Sequence, residues 1–267
     1  MTKRPLSQKS PEEVERLARG GAILRRVLEE VALLARPGAT GKQLDEEAEK
    51  RLRAHGAVPS FLGYVSSGER AFPASLCVSV NSAIVHGVPT DQPFAEGDVV
   101  GLDLGCRFEG LYTDTATTIA IGEVTPGAER LLAVTKKALA EAIAIVHPGV
   151  KTGDIGATVQ AIVEKEGFSV VRDLVGHGVG YEVHEEPSIP NFGKRGEGIA
   201  LPEGAVIAIE PMVVAGKHQV EVAPDGWTVV AKDGTLTAHE EHTVAVTKEG
   251  ARVLTTSKSN LKNQNAK

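Results

Sequence analysis

The chain has 267 residues, of which 42% are apolar and 24% are charged, and its formal net charge is −6. This composition is that of an ordinary globular protein, and the acidic balance argues against a protein that coats nucleic acid. No run approaches the ~18 apolar residues of a membrane span, and the first residues lack the apolar stretch of a signal peptide. The two cysteines, Cys77 and Cys106, have no CxxC spacing, which favours a reducing compartment over a disulfide framework. We therefore expect a cytoplasmic protein with no membrane and no nucleic-acid partner.

Two helices are predicted near the N-terminus from their capping residues. Ser10, Pro11 and Glu13 form a helix start, with an N-cap serine, proline at the first helical position and glutamate at the third. Apolar residues then follow helical spacing until an Arg-Pro-Gly turn. Thr40 starts a second helix, with Gln43 in the capping-box position. Both helices are interpreted as scaffold.

The next part of the chain is predicted to be a loop followed by strands. Residues 58–75 are rich in aromatics and poor in helix formers, so we expect a loop there. Residues 76–89 predict one strand that ends in a turn at His86. Residues 99–118 alternate like a strand on either side of the Glu-Gly pair at 109–110, which predicts a hairpin.

The remaining chain predicts two helices and then a strand-rich segment. The helices span 126–147 and 152–166, and short apolar runs separated by Gly and Pro turns follow them, as is typical of antiparallel strands. With no linker or repeat, the whole chain is predicted to be one α/β (α+β) domain, with helices packed on a curved, mainly antiparallel sheet. Residues 1–9 and about 256–267 are expected to be flexible tails.

The predicted hairpin carries two aspartates in positions where a strand normally buries Val or Thr. A turn at 109–110 would place Asp103 across from Ala116 and Asp114 across from Gly105. The two carboxylates then lie on one face, with Cβ atoms about 7–8 Å apart. Such a pair repels and resists burial unless a cation lies between its members, although a solvated sheet face remains an alternative. The opposite face would be available to the core, with Leu102, Leu104, Cys106 and Phe108.

Three histidines are placed where a side chain could reach a ligand. His177 stands between glycines in GHGVG, and His184 opens HEEP seven residues later. Flanking glycine lets the backbone fold closely around a ligand. His86 ends a strand at a glycine turn, a position that can present a side chain to a cleft. For each histidine taken alone, a core or surface residue with an ordinary hydrogen bond remains the alternative.

Three glutamates complete the candidate set. Glu210 ends a very apolar run, where a charged carboxylate must be paired, protonated, metal-bound or already in water. Glu240 and Glu241 precede the apolar run HTVAV. Alternation places Glu240 on the side of the valines and Glu241 on the opposite side, toward solvent or a site. The pattern alone does not separate those two possibilities.

Taken in order, the motifs HGVP, DLGxxxxGLYTDTATT, GHGVG with HEEP, IEPM and EEHT resemble the methionine aminopeptidases of the shorter, type I form. The resemblance covers about residues 10–250. It implies the pita-bread fold, in which two related α/β halves surround a central dinuclear metal site. The metal would be two divalent ions of Co, Mn, Fe or Zn.

The resemblance also implies roles for individual residues. The metal ligands would be Asp103, Asp114, His177, Glu210 and Glu241, with Asp114 and Glu241 bridging both ions. His86 and His184 match two active-site histidines that bind substrate, and together with Glu210 they are the expected catalytic residues. The methionine pocket would be lined by Tyr64, Phe72, Cys77 and Trp227.

The expected activity is removal of N-terminal methionine from nascent polypeptides, near the ribosome, by a monomer that prefers a small second residue. Three departures from the family pattern concern the pocket rather than the metal site: Glu240 replaces an aromatic, Val183 replaces a bulkier residue, and the loop 65–71 looks longer. An X-Pro aminopeptidase or dipeptidase of the same fold is the alternative activity. A non-catalytic binding protein on this fold is the alternative from another class.

Overall fold

The computed structural model describes residues 6–65 and 70–256. Most of both predicted tails lies outside these ranges, so their flexibility stays a prediction. The described end of the N-terminal segment is packed against the protein, because Lys9 is 4% exposed and its backbone N–H donates to the carbonyl of Gly204 at 2.8 Å. The packed structure therefore begins before the helix start at Ser10.

Four helices lie in the described residues, and they confirm the four that the sequence predicts. They are α1 (Pro11–Ala32), α2 (Gly41–Ala54), α3 (Pro126–Ala144) and α4 (Thr152–Lys165). At the start of α1, the Ser10 hydroxyl accepts from the Glu13 N–H at 3.3 Å and the Glu13 carboxylate accepts from the Ser10 N–H at 2.9 Å. The same reciprocal pair joins Thr40 and Gln43 at the start of α2. No helix in the described ranges combines the length and apolarity that a bilayer crossing requires.

The strands pair in antiparallel ladders, as the segment pattern predicts. In chain order they are β1 (Val58–Pro59), β2 (Leu76–Val80), β3 (Ala83–Val85), β4 (Val99–Phe108), β5 (Leu111–Ala120), β6 (Ser169–Val170), β7 (Val175–Gly178), β8 (Glu185–Pro190), β9 (Val206–Ile209), β10 (Met212–Val214), β11 (Val220–Val222), β12 (Val229–Ala231), β13 (Thr237–His239), β14 (His242–Thr247) and β15 (Gly250–Val253). One sheet has the order β15-β14-β9-β7-β8, and another joins β1, β2 and β5 to the long central strand β4. Two three-stranded sheets have the orders β13-β10-β6 and β11-β12-β3.

The hairpin of β4 and β5 has the predicted register. Asp103 pairs with Ala116, and Gly105 pairs with Asp114. The turn is tight because Glu109 and Gly110 both have positive φ, at 48° and 86°. The face opposite the aspartates is core, as expected, and its fully buried members are Leu102, Leu104 and Cys106.

The segment 76–89 is two strands rather than the single strand that the sequence predicts. Asn81 has a φ of 56°, and this left-handed residue ends β2. The Asn81 side chain is also bonded to the start of β4. Its Nδ2 donates to Asp98 Oδ1 at 2.8 Å, and its Oδ1 accepts from the Val99 N–H at 3.0 Å. After the break, β2 pairs with β4 whereas β3 pairs with β12. A continuous apolar pattern did not reveal this change of sheet.

The two largest apolar clusters of the described residues are built from different parts of the chain. One is formed by α1 and α2 against β2 and β4, and its members include Leu24, Leu44 and Leu102. The other is formed by α3 and α4 against β9 and β14, and its members include Leu131 and Val244. The two regions are joined by a reciprocal pair of backbone hydrogen bonds between Ala116 and Glu241. The prediction of a single domain stays a prediction.

Candidate metal centre

One cavity of about 1370 Å³ is lined by every residue that the sequence predicts for the site. The expected metal ligands reach it from separate elements: Asp103 from β4, Asp114 from β5, His177 from β7, Glu210 directly after β9, and Glu241 directly before β14. One ligand atom each of Asp114, His177 and Glu241 lie within 4.8 Å of one another. The structure therefore brings together side chains that are up to 138 positions apart in the sequence, from 103 to 241.

The carboxylates of this cluster are buried without enough hydrogen-bond donors. Asp114 is 4% exposed and Glu241 is 2% exposed. Asp103 Oδ1, Asp114 Oδ1 and Glu241 Oε1 are buried oxygens that have no hydrogen-bond partner within the described ranges. An unpartnered buried carboxylate oxygen is costly, and a divalent cation is the partner that would satisfy several at once. The donor set of carboxylates and one imidazole fits a divalent transition metal.

The pKa values report the same crowding. Burial and the charge of Asp103 raise the pKa of Asp114 well above its usual value, and burial with Asp114 nearby does the same for Glu241. Burial raises the pKa of Asp103 to about 6, although His239 opposes this shift. Acids with raised pKa values that converge in a cleft are typical of a functional site.

His177 is oriented with one ring nitrogen directed at the cluster. Its Nδ1 lies 2.9 Å from the carbonyl oxygen of Gly178, so Nδ1–H donates and Nε2 keeps its lone pair. Nε2 lies 3.5 Å from Glu210 Oε1. A side chain does not fit at the glycine before His177, because a Cβ on Gly176 would lie 2.5 Å from the carbonyl oxygen of Ala208.

Glu210 occupies the break between β9 and β10, which belong to different sheets. Its backbone carbonyl accepts from Asn191 Nδ2 at 3.0 Å. Its carboxylate lies between two imidazoles, with Oε2 at 3.6 Å from His239 Nε2. Burial acts to raise the pKa of Glu210, but the nearby imidazoles of His239 and His177 hold the pKa below its usual value.

His239 is a site residue that the sequence analysis missed. It is 3% exposed and ends β13 beside the cluster. It stands two residues before Glu241, and residues two apart on an extended chain share a face. That spacing was a signal that could have found it.

The structure shows that Glu241 faces a cavity rather than open solvent, a choice that the alternation pattern left open. Glu241 lines the cavity, whereas Glu240 turns away from it. Glu240 Oε1 accepts from the Thr118 N–H and the Thr117 hydroxyl, both at 3.1 Å, and lies 3.8 Å from Lys136 Nζ. This buried carboxylate therefore has its own partners outside the cluster.

The two remaining predicted histidines, His86 and His184, line the cavity beside the cluster. His86 has a φ of 56°, and burial lowers its pKa. Burial and the nearby His177 lower the pKa of His184 to about 4, so its ring is neutral at pH 7. His184 Nδ1 lies 2.8 Å from the Tyr64 hydroxyl, and its ring centroid lies 4.4 Å from that of His177.

An aromatic wall closes the other side of the cavity. Phe72 and Trp227 meet edge to face with ring centroids 5.3 Å apart, and Cys77 and Tyr64 also line the cavity. Phe61 belongs to the same buried cluster and was not predicted. Its signal was weak, because it is one aromatic in the predicted loop. Part of the loop 65–71, which was predicted to be longer than in the family pattern, lies outside the described residues at 66–69.

The family model for metallopeptidase family M24 matches residues 15–248. The chain belongs to metallopeptidase family M24. An M24 chain of this kind is a hydrolase that uses divalent metal, in agreement with the buried Asp, His and Glu group.

Several M24 relatives are similar over almost their whole length. The chain is 42% identical over 247 residues to a methionine aminopeptidase of Clostridium perfringens, covering 92% of this chain and 97% of that one. It is also 42% identical over 252 residues to a methionine aminopeptidase of Aquifex aeolicus, with the same coverage of 92% and 97%.

Solved structures agree on the fold. The crystal structure of a methionine aminopeptidase from Thermotoga maritima matches with a TM-score of 0.91 and 40% identity, covering 95% of this chain and 100% of that one. A prolidase from Pyrococcus horikoshii matches with a TM-score of 0.75 and 22% identity, and the chain covers 64% of it, so that likeness shows the fold alone. These matches confirm the predicted pita-bread fold of helices around a mainly antiparallel sheet.

Proposed function

We propose that this chain removes the N-terminal methionine from nascent proteins and peptides by metal-dependent hydrolysis, with a preference for a small second residue. The relatives named methionine aminopeptidase, at about 40% identity over most of the chain, support this activity. The observation that carries it is the buried cluster of unpartnered carboxylate oxygens beside an aromatic wall in one cavity.

We infer that the cluster holds two divalent ions. The residues that would bind them are Asp103, Asp114, His177, Glu210 and Glu241. Cobalt, manganese, iron and zinc all suit carboxylates with one imidazole. When bound, such ions polarise a carbonyl and make a water molecule a better nucleophile at neutral pH.

The protein's own groups would bind the substrate and move protons. Glu210 lies between two imidazoles and would accept a proton from the attacking water and pass it on. His184 has Nδ1 engaged with the Tyr64 hydroxyl, which leaves Nε2–H to donate to the developing oxyanion. His86 would contact the nitrogen of the scissile bond and assist proton delivery to the leaving amine.

The aromatic wall would bind the methionine side chain. Tyr64, Phe72, Cys77 and Trp227 line the cavity, and Phe61 packs among them. A thioether is flexible and makes favourable contacts with aromatic rings. An unbranched apolar side chain therefore fits this wall better than a charged or β-branched one.

A metal series on a pair of peptides tests the proposed function. Protein freed of metal by a chelator is assayed with Co, Mn, Fe or Zn on Met-Ala-Ser and on an X-Pro dipeptide. We expect release of methionine that depends on added metal, with little hydrolysis of the X-Pro peptide. Faster hydrolysis of the X-Pro peptide, or no hydrolysis with any metal, would contradict the proposal.

We further propose that the protein acts as a monomer in the cytoplasm, on chains emerging near the ribosome. Nascent N-termini are found there, and the free, buried thiols of Cys77 and Cys106 suit a reducing compartment. Gel filtration tests the monomer, and sedimentation with translating ribosomes tests the location.

A further inference from the structure

The segment before α1 contacts the loop that carries His184. This loop, residues 179–184, joins β7 to β8. The Lys9 side chain is 0% exposed, and its Nζ lies 2.7 Å from Glu185 Oε2 and 4.6 Å from the centroid of the Tyr181 ring. Glu185 directly follows His184, which lines the cavity. The Lys9 ammonium is therefore paired with the residue next to His184.

The Glu185 carboxylate connects the segment before α1 to the backbone of this loop. Oε2 accepts from the Lys9 ammonium and the Ser7 hydroxyl, and Oε1 accepts from the backbone N–H groups of Tyr181 and Glu182, the latter at 3.1 Å. Burial acts to raise the pKa of Glu185, but the hydrogen bonds from Lys9 and Ser7 outweigh it and the pKa is lowered. The carboxylate is therefore charged, and Lys9 is the cation that neutralises it.

The backbone of the loop is shaped around the lysine. Gly180 has a φ of 141°, and a Cβ there would lie 2.4 Å from Lys9 Cε, so a side chain at this position would displace the lysine. The Gly180 carbonyl accepts from the Tyr112 N–H at 2.7 Å. A second link to α1 is the Tyr181 hydroxyl, which donates to the Glu13 carboxylate at 2.9 Å.

We propose that Lys9 is a positioning residue for the reaction, which fixes through Glu185 the loop that presents His184 to the substrate. This inference rests on the role proposed for His184 above. Without the ammonium, Glu185 would be an unpaired charge in a buried position, and unpaired buried charges move toward water. The loop N–H groups of Tyr181 and Glu182 would then lose their acceptor, and His184 would lose its fixed position.

The expected effect of Lys9→Met is on the chemical step. Displacement of a positioned group by about 1 Å can lower a rate about 100-fold, so we expect kcat to fall at least about tenfold. The metal ligands do not touch Lys9, so bound metal and KM should stay close to wild type. Lys42→Met is the matched control, because it removes an exposed ion pair with Asp91.

A double-mutant cycle separates positioning from general loss of stability. Wild type, Lys9→Met, His184→Ala and the double variant are compared for kcat on Met-Ala-Ser at saturating metal. If Lys9 acts through His184, its removal lowers kcat in the wild-type background but changes it less than about twofold in the His184→Ala background. Equal fold losses in both backgrounds, or an unchanged kcat for Lys9→Met, would overturn the inference.

A second variant keeps the inference testable if Lys9→Met does not fold. Ser7→Ala removes a neutral donor to the same carboxylate, and one hydrogen bond predicts a loss of about threefold in the same cycle. The outcome also differs from a failure of the proposed function. If wild type releases no methionine with any metal, the proposed function is rejected. If wild type is active and His184→Ala is impaired, but Lys9→Met and Ser7→Ala keep the wild-type kcat, only the role of Lys9 is rejected.

Discussion

The candidate metal site is built by two regions that position their side chains in different ways. Asp103 and Asp114 sit inside one continuous hairpin, where register alone places them on a common face. His177, Glu210 and Glu241 come from the C-terminal region, at or beside the ends of short strands. The two aspartates are brought together by one pair of neighbouring strands. The three side chains of the C-terminal region come together only when several strands of the sheet have paired.

The difference concerns which physical rule places each carboxylate. In the hairpin, the two-residue period of a strand and a tight turn are sufficient. Glu210 instead lies where the chain leaves one sheet for another, and Pro211 cannot donate a ladder hydrogen bond at that break. The variants below compare the hairpin with the C-terminal region.

The largest effect is expected from Asp114→Asn in the hairpin and Glu241→Gln in the C-terminal region. Each removes one negative charge but keeps an oxygen of similar shape, so metal content should fall and kcat/KM should drop at least about a thousandfold. Metal analysis and peptide hydrolysis measure both. Asp91→Asn, at an exposed position, is the control. Full metal and full activity in Asp114→Asn would remove the basis of the assigned site.

The next effect is expected in the apolar cores of the two regions. Leu102 beneath the hairpin and Leu131 in α3 are both 0% exposed. Each Leu→Ala change should lower the free energy of unfolding by about 2–5 kcal/mol. Urea unfolding of the metal-free variants, followed by circular dichroism and by the fluorescence of Trp227, measures this loss.

The same experiment tests whether the two regions form one domain. If they do, both variants shift one common transition and the two probes coincide. Separate transitions, with Leu102→Ala moving one and Leu131→Ala the other, would show two domains.

A smaller effect per pH unit is expected from acid, and it should come from the C-terminal region. Burial and the nearby Arg25 lower the pKa of His242 to about 3. Between pH 6.5 and about 3 the unfolded chain binds a proton there that the folded chain does not. The free energy of unfolding should therefore fall with falling pH in that window, by up to about 1.4 kcal/mol per pH unit from this group.

Unfolding of His242→Gln at several pH values checks this slope. The variant should depend less steeply on pH than wild type, and His147→Gln, at an exposed histidine, should not differ from wild type. A slope that is identical in all three proteins would show that His242 does not cause acid destabilisation.

The smallest effect is expected at helix caps. The Thr40 hydroxyl caps α2 on the hairpin side, and the Thr125 hydroxyl caps α3 on the other side at 3.2 Å from the Ala128 nitrogen. Either Thr→Ala change should lower the free energy of unfolding by about 1 kcal/mol. Thermal unfolding measures it, and a loss above about 3 kcal/mol would mean that the hydroxyl does more than cap.

The sequence predicted the parts of the structure that short-range rules control. The capped helices and the register of the aspartate hairpin follow from residues close together in the chain, and both agree with the structure. The break at Asn81 was missed because only Asn81 and Ser82, with no glycine or proline, separate the two apolar runs of the segment. Periodicity does not report which sheet a strand joins.

The candidate site was predictable in its members but not in its geometry. Motif resemblance supplied the ligand positions, whereas the partners of Glu240 and the place of His239 depend on tertiary contacts. The role of Lys9 was hidden for the same reason, since its partner Glu185 lies 176 positions away. Such long-range pairs leave no periodic trace in the sequence.

The backbone pair between Ala116 and Glu241 has a consequence for how the protein matures during synthesis. Glu241 N–H donates to the Ala116 carbonyl at 3.1 Å, and Ala116 N–H donates back at 3.4 Å. Glu241, the last of the proposed ligands along the chain, therefore docks onto the hairpin only after synthesis has passed that residue. We expect a fragment that ends at residue 200 to capture no ion tightly, as equilibrium dialysis would reveal, so that loading with metal follows synthesis of the segment that carries Glu241.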